Sequence, residues 1–435
     1  MHLLSKEETY RKNYIELTRK EKLAAKFSEI QKALKEKRVV RFVLNKILRK
    51  VYFKPTQITL GIMESYFSAK DLADLELQSK GRIQYIALDI PVFNKAIDWG
   101  KRKLISRSDP NFDEFETFFF KTLEYCLPKI LLENFPDCCS FYENYFDKYK
   151  SLKNIINESF TSSHYASIAT ALLKEKRNVS HIYNEHNCIT HIYVGNSVHR
   201  ITKMVDEFLT LGWEDFSNSK IKPAASLFQF KVARNPKPSI PMLFIMGEPL
   251  VRIPELTGGC GFYGENAIKY IRFTESFLKT LSDKVKKHSI LRRYPILEKE
   301  MLWEMEYFLK PEFEKFKTPQ IGENAKSLIQ KSKLVVIDYQ STSYIEALVS
   351  DVPTVFFWDQ KAYFLLDQYQ NYFDELVAVG ICQINPHSAA NFVEKIIQDP
   401  ETWWQRNDVR KAREHFLNKC LGNPEVLKQI LLNRI

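Results

Sequence analysis

The chain is 435 residues long, with 45% hydrophobic and 27% charged residues, which excludes a largely disordered protein and leaves room for two or three domains. Its 64 Lys/Arg against 53 Asp/Glu give a formal net charge of +11, a balance that asks for an anionic partner.

The charge is concentrated at the start. Residues 1–54 hold 16 Lys/Arg and 6 Asp/Glu, a net of +10, so the remaining body is close to neutral. Within this arm Leu23, Phe27, Ile30 and Leu34 recur at helical spacing, as do Val40, Leu44, Ile47 and Val51, with Lys and Arg between them. The pattern predicts amphipathic helices with a basic face. Three readings stay open: a solvated face on a helix packed against the body, an interfacial helix on an anionic membrane, or a nucleic-acid surface. No zinc-finger spacing, aromatic RNA-binding motif or Gly-rich loop accompanies the charge, so no nucleic acid is expected.

No secretory h-region or uninterrupted apolar run of about 18–20 residues is found, and a cytoplasmic location is expected. The seven cysteines are odd in number and contain no Cys-x-x-Cys, so neither a disulfide framework nor a zinc site is expected. No Asp-x-Asp occurs, which removes a common metal–diphosphate signature and favours metal-free chemistry.

In chain order, residues 57–62 and 83–89 predict short buried strands, and 112–135 a helical region. Residues 181–185 and 190–194 are further strand candidates, and 197–212 has helical spacing. The proline-rich stretch 217–241 is the expected linker. Beyond it, strands at 242–246, 289–293, 334–338, 353–357 and 377–382 alternate with helices at 264–286, 297–308, 342–349, 360–375 and 388–398. This alternation predicts an α/β fold with parallel sheets, whose ligands bind at the carboxyl ends of the strands.

Two strand ends carry candidate chemistry. Asp338-Tyr-Gln-Ser-Thr-Ser-Tyr-Ile-Glu346 is a hydroxyl-rich turn opening a helix, and the unpaired N–H groups there can hold a phosphate without Lys or metal. Ser343-x-x-Glu346 can instead be a capping box that occupies those N–H groups. In the first half, His186 follows a predicted strand. It can act as a general base on an acceptor hydroxyl, or be structural. The 181/186/191 histidine spacing suits no metal. Arg292, at another strand end, can neutralise a departing phosphate or form an ordinary ion pair.

Seven stretches in order resemble the bacterial transferases of surface carbohydrate biosynthesis. They are Ser79-Lys-Gly-Arg-Ile83; Leu127-Pro128 with Leu132-Glu133; Glu185-His186; Thr210-Leu-Gly-Trp213; Arg292-x-Tyr294-Pro295; Asp338 to Leu348 with Pro353 to Trp358; and Trp403-Trp404. More distantly, the two poles are similar to Kdo and sialic-acid transferases and CDP-glycerol phosphotransferases.

The resemblance implies two Rossmann-like, GT-B-like domains. A basic helical arm at 1–54 would precede an N-terminal acceptor domain at 55–216. A linker at 217–241, a nucleotide-sugar-binding domain at 242–400 and C-terminal helices at 401–435 would follow. It further implies a metal-independent glycosyltransferase without a cofactor, taking a nucleotide-sugar, CMP-linked among the possibilities, to a glycan or lipid-linked acceptor. His186 and Arg292 would be catalytic, and Ser341, Thr342, Ser343, Glu346 and Asp338 would bind the nucleotide phosphate. Alternatives are a CDP-alditol phosphotransferase and a membrane-associated scaffold without turnover. The scaffold is favoured by one departure: relatives show Gln-His-Gly-Gly where this chain has Glu185-His186-Asn187-Cys188.

Overall fold

The computed structural model describes residues 54–106, 109–160, 163–186, 191–193, 197–225, 234–247, 265–293, 305–319, 323–360 and 364–435. All but the last residue of the expected basic arm, Asn187-Cys188 of the histidine turn, Tyr294-Pro295 and most of the expected helix 297–308 lie outside the described residues.

The first half runs β1 (Leu60–Ile62), α1 (Ala69–Gln78), β2 (Ile83–Tyr85), α2 (Trp99–Ile105), α3 (Glu114–Cys126), α4 (Phe135–Phe146) and β3 (Asn154–Asn157). It continues with α5 (His164–Arg177), β4 (Ser180–Asn184), α6 (Val198–Met204), β5 (Glu207–Thr210) and β6 (Ile221–Pro223). The second half runs β7 (Ile240–Ile245), α7 (Glu265–Thr280), α8 (Asp283–His288), β8 (Ile290–Arg292), α9 (Met305–Phe313) and α10 (Ala325–Lys331). Then come β9 (Ser332–Ile337), α11 (Thr342–Val349), β10 (Thr354–Phe357), α12 (Asp367–Ala378), β11 (Cys382–Gln383) and α13 (Pro386–Ile396). Helices α14 (Pro400–Trp404), α15 (Asn407–Cys420) and α16 (Pro424–Leu432) close the chain.

Two parallel sheets result, as the α/β expectation requires. Their strand orders are β2-β1-β3-β4-β5-β6 and β11-β10-β9-β7-β8. Every pairing within them is parallel. In each half the second strand lies on one side of the first and all later strands on the other. The order therefore reverses between β1 and β3, and again between β7 and β9. In open parallel sheets such reversals leave a crevice at the carboxyl edge where ligands bind.

Ser68, Ser163, Ser282, Asn324 and Asn385 each cap a following helix with a side-chain oxygen. Leu334–Ile337 of β9 and Val355–Phe357 of β10 are buried, which explains their unbroken apolar runs.

The structure corrects several expected elements. Ile221–Pro223, inside the expected linker, form edge strand β6, where a proline needs no ladder partner. Residues 207–210, expected as helix, form β5. Of the expected strand 190–194, the described part is a turn whose Tyr193 makes one antiparallel bridge to Leu365. The expected helix 264–286 breaks at Ser282, which caps α8.

The halves meet through this turn. The Leu366 N–H donates to the Ile192 carbonyl at 2.8 Å, and the His191 ring stands edge-on to Tyr369. Residues 191–193 follow β4 and residues 365–369 follow β10, so the contact joins the carboxyl sides of both sheets. The chain then crosses back. Leu427 and Leu431 of α16 are fully buried among Leu60, Ile62, Ile156, Ile182 and Leu209 of the first sheet. Arg434 pairs with Glu207 there. Gly422 permits the crossing: a Cβ on it would lie 1.9 Å from the Ala224 carbonyl oxygen.

Candidate functional site

His186 stands two residues beyond β4, beside the β1/β3 reversal. Tyr66, from the loop after β1, stacks on its imidazole with ring centroids 4.7 Å apart. Burial lowers the His186 pKa, opposed by a ring hydrogen bond to the Glu158 backbone and by the Glu185 charge. The ring is therefore neutral near pH 7 and able to accept a proton.

Glu158, one residue past β3, is fully buried. One carboxylate oxygen accepts from Ser65 Oγ at 3.1 Å and from the Tyr66 N–H; the other accepts from Asn184 Nδ2 at 2.6 Å. It thus ties the ends of β1, β3 and β4 into one crevice around His186. The sequence reading missed Tyr66, Glu158 and Asn184. The available signal was their position just after, or at the end of, a strand.

Glu185 belongs to a different network. Its Oε1 lies 2.9 Å from His191 Nδ1, and its Oε2 accepts from Trp213 Nε1 at 2.7 Å and from the Leu211 N–H at 3.2 Å. His191 stacks on Trp213 at 4.4 Å. Two separate family-like stretches, Glu185-His186 and Thr210–Trp213, are therefore one hydrogen-bonded unit that fixes the turn joining the halves. Gly212 lies in it at φ +122°, with its Cβ position 2.7 Å from the Gly422 N, so no side chain fits.

In the second half, α11 begins after β9, beside the β7/β9 reversal. Ser341 is its N-cap, accepting from the Ser343 N–H at 3.3 Å. Thr342 opens the helix and Ser343 follows it; both are half-buried. Gln340, 5% exposed, has neither amide atom hydrogen-bonded. A buried amide without partners costs about 1–3 kcal/mol, so native structures keep one where a ligand or water completes it.

The expected Ser343/Glu346 capping box is not formed. The helix starts two residues earlier, at the Ser341 cap, which leaves Glu346 too deep in the helix to reach back. Glu346 is instead buried, and burial raises its pKa to about 7 against the opposing pull of Lys326 and Arg292. Arg292, at the end of β8, is half-buried and electrostatically coupled to Glu346.

Asp338 has an internal role rather than the expected ligand contact. Oδ1 accepts from the Gly247 N–H at 3.0 Å, and Oδ2 from Tyr270 and Thr274 hydroxyls at 2.8 Å each. Its carboxylate braces the end of β9 against the end of β7 and helix α7. Burial raises its pKa to about 7 despite those three donors.

Arg292, Ser341, Thr342, Ser343 and Glu346 thus share one strand-end region of the second half, and His186 stands at the corresponding edge of the first. Among the described residues, no group of three or more His, Cys, Asp or Glu is arranged to hold a metal ion, and no helix is long and apolar enough to cross a membrane.

A family profile described as LIC12162 family transferase matches residues 3–433. The chain belongs to this transferase family. No curated protein matches it. Solved structures similar to it include the wall teichoic acid polymerase TagF, at 12% identity and TM-score 0.40 over 93% of this chain and 96% of that one. MurG of Acinetobacter baumannii is similar at 10% identity and TM-score 0.42, over 86% and 98%. A UDP-glucosyltransferase from Polygonum tinctorium is similar at 9% identity and TM-score 0.44, over 87% and 98%.

Proposed function

We propose that this member of the LIC12162 transferases moves a sugar from a nucleotide-activated donor to a hydroxyl of a glycan or lipid-linked acceptor, in surface polysaccharide or glycolipid assembly. The observation that carries the reading is the pairing of two strand-end regions. A neutral histidine stands at one reversal of strand order, and a hydroxyl-rich helix start with an unsatisfied buried amide stands beside the other.

The donor's phosphate is held by the Thr342 hydroxyl and the first N–H groups of α11, which carry partial positive charge. Ser341 shapes this helix start as its cap. Gln340 supplies a further amide, and Arg292 offsets the charge that develops as the nucleotide leaves. The acceptor oxygen forms its bond to the sugar's anomeric carbon, the bond to phosphate breaks, and the nucleotide keeps that electron pair. His186 takes the acceptor's proton. Stabilising the leaving phosphate is the larger contribution and the proton transfer the smaller. This set of donors asks for no metal or cofactor. The basic residues 1–54 are proposed to hold the enzyme against an anionic membrane face from the cytoplasmic side.

A thermal-shift screen with CMP, CDP, UDP and GDP compounds tests the reading. Binding at a hundredfold over Kd adds about 2.7 kcal/mol of stability, a shift of a few degrees. The Ser341→Ala/Thr342→Ala variant is expected to lose the shift and His186→Ala to keep it. Loss in the His186 variant alone overturns the division of roles. No shift with any nucleotide favours the scaffold, and product mass separates sugar transfer from alditol-phosphate transfer.

A further inference from the structure

Helix α3 is folded with its more apolar side outward. Phe115, Phe118, Phe119, Thr122 and Cys126 fall on one stripe at i, i+3, i+4, i+7 and i+11. Amphipathic helices of soluble domains turn such a stripe to the core. Here Phe115 is 72% and Phe118 66% exposed, Cys126 is exposed, and no residue of the helix is buried. The inward side is the poorer one: Phe120 stacks on Phe112, and the Glu124 carbonyl accepts from Arg102. On neighbouring α2, Trp99 packs against Tyr125 of the helix, with ring centroids 5.7 Å apart.

The charge around the stripe selects what covers it. Residues 109–126 carry five acids and one lysine, a net of −4. An anionic bilayer is repelled by that rim, and a second copy of α3 would bring two such rims together. Residues 1–54 are opposite in sign at +10, and their Leu23, Phe27, Ile30 and Leu34 recur at helical spacing over the same eleven-residue span. They join the same half of the molecule directly ahead of β1, so no second molecule is needed.

We propose that the basic N-terminal segment docks through its Leu23–Leu34 stripe onto the outward stripe of α3. The segment then keeps its lysines and arginines outward. Any membrane contact it makes is by charge, not by inserting that apolar face. The docking is independent of the transferase reading and is tested without nucleotide.

Cys126 reports directly, because it lies within the stripe. In the full chain carrying Cys139→Ser, Cys188→Ser and Cys260→Ser, the maleimide labelling rate of Cys126 is followed at low salt without lipid. Cys138, Cys382 and Cys420 are buried and slow. Docking slows labelling about tenfold, as for a covered state populated about ten to one. Leu23→Ser/Phe27→Ser in the arm, or Phe118→Ser on α3, restores the fast rate, and high salt speeds labelling by screening the charge match. Fast labelling of the lipid-free full chain overturns the proposal. So does slowing seen only with acidic phosphatidylserine vesicles, which assigns the face to a bilayer. Slowing that grows with protein concentration overturns it in favour of a second copy.

Discussion

The phenol ring of Tyr66 lies over the imidazole of His186, with centroids 4.7 Å apart and planes 24° from parallel. The two residues come from different strand ends, and the stacking contributes to the burial that holds His186 below the usual histidine range. Tyr66→Ala admits water, so the His186 pKa should rise toward about 6.5; Tyr66→Phe keeps the ring and should leave it low. Histidine-ring NMR titration reads this directly. The acid limb of activity should move the same way, to higher pH in the alanine variant. An unchanged His186 titration in Tyr66→Ala would remove Tyr66 from any role in setting it.

Ser341 has two duties that can be separated. As N-cap it contributes about 1 kcal/mol, lost in Ser341→Ala and mostly kept in Ser341→Gly. Chemical denaturation should therefore rank Ser341→Gly near the wild type, with Ser341→Ala below. Thr342 caps nothing, so Thr342→Val should weaken nucleotide binding with little loss of stability. Equal binding by Thr342→Val and wild type would exclude its hydroxyl from the phosphate site.

Glu346 links pH to stability through burial. Its folded pKa of about 7 lies above the ordinary carboxylate value, so the native state binds more protons than the unfolded chain between about pH 4.5 and 7. Stability should fall as pH rises through that window. Glu346→Gln removes the charge, so its denaturation midpoint should exceed the wild type's at pH 8 and match it near pH 4.5. A constant difference between the two proteins at both pH values would contradict this.

The Arg102–Glu133 pair works in the opposite direction. Both side chains are 2% exposed, Nε to Oε1 is 2.6 Å, and the guanidinium also donates to the Glu124 and Leu127 carbonyls. Its hydrogen bonds, with a backbone N–H, hold Glu133 at about 2. The stability this lends is present above about pH 4.5 and drains as pH falls toward 2. Arg102→Met strands a buried carboxylate and should cost about 3–5 kcal/mol at pH 7, whereas Arg102→Met/Glu133→Leu should recover much of it. A double-mutant cycle in urea checks both values.

The central strands of the second half were legible as apolar runs between well-marked helices; Leu334–Asp338 and Thr342–Val349 sit within a residue or two of their expected limits. The expected strand 377–382, by contrast, falls on the end of α12 and a turn, with Cys382–Gln383 alone forming β11, and the expected helix 360–375 begins at Asp367. The first half was less so. Strand β3 contains buried Asn154 and Asn157, and β5 opens on buried Glu207, polar residues that interrupt the apolar signal. Phe208 and Leu209, buried on both faces of β5, fit a helical period as readily as a strand. The crevice around His186 was hidden for another reason: Tyr66 and Glu158 are 92 positions apart, and only the sheet order makes them neighbours.

What marked the family in the sequence is largely bracing rather than chemistry. Ser79 accepts from the Ile83 N–H and closes the turn before β2. Glu133 neutralises Arg102, and Glu185 holds Trp213 and His191. Trp404 Nε1 donates to Asp351 at 2.8 Å while Arg413 lies over its indole. The Asp338–Glu346 run, Arg292 and His186 lead to the candidate site, and within that run Asp338 is itself a brace.

The return of α16 to the first sheet sets the order in which the protein can be completed during synthesis. Leu427, Leu431 and Arg434 fill positions beneath β1, β3, β4 and β5, strands made hundreds of residues earlier. While the second half is still being translated, the first sheet waits with that face uncovered until α16 has been made. The first half to be made is thus the last to be finished, and a nascent chain stalled anywhere before residue 424 presents an open apolar sheet to the cell's chaperones.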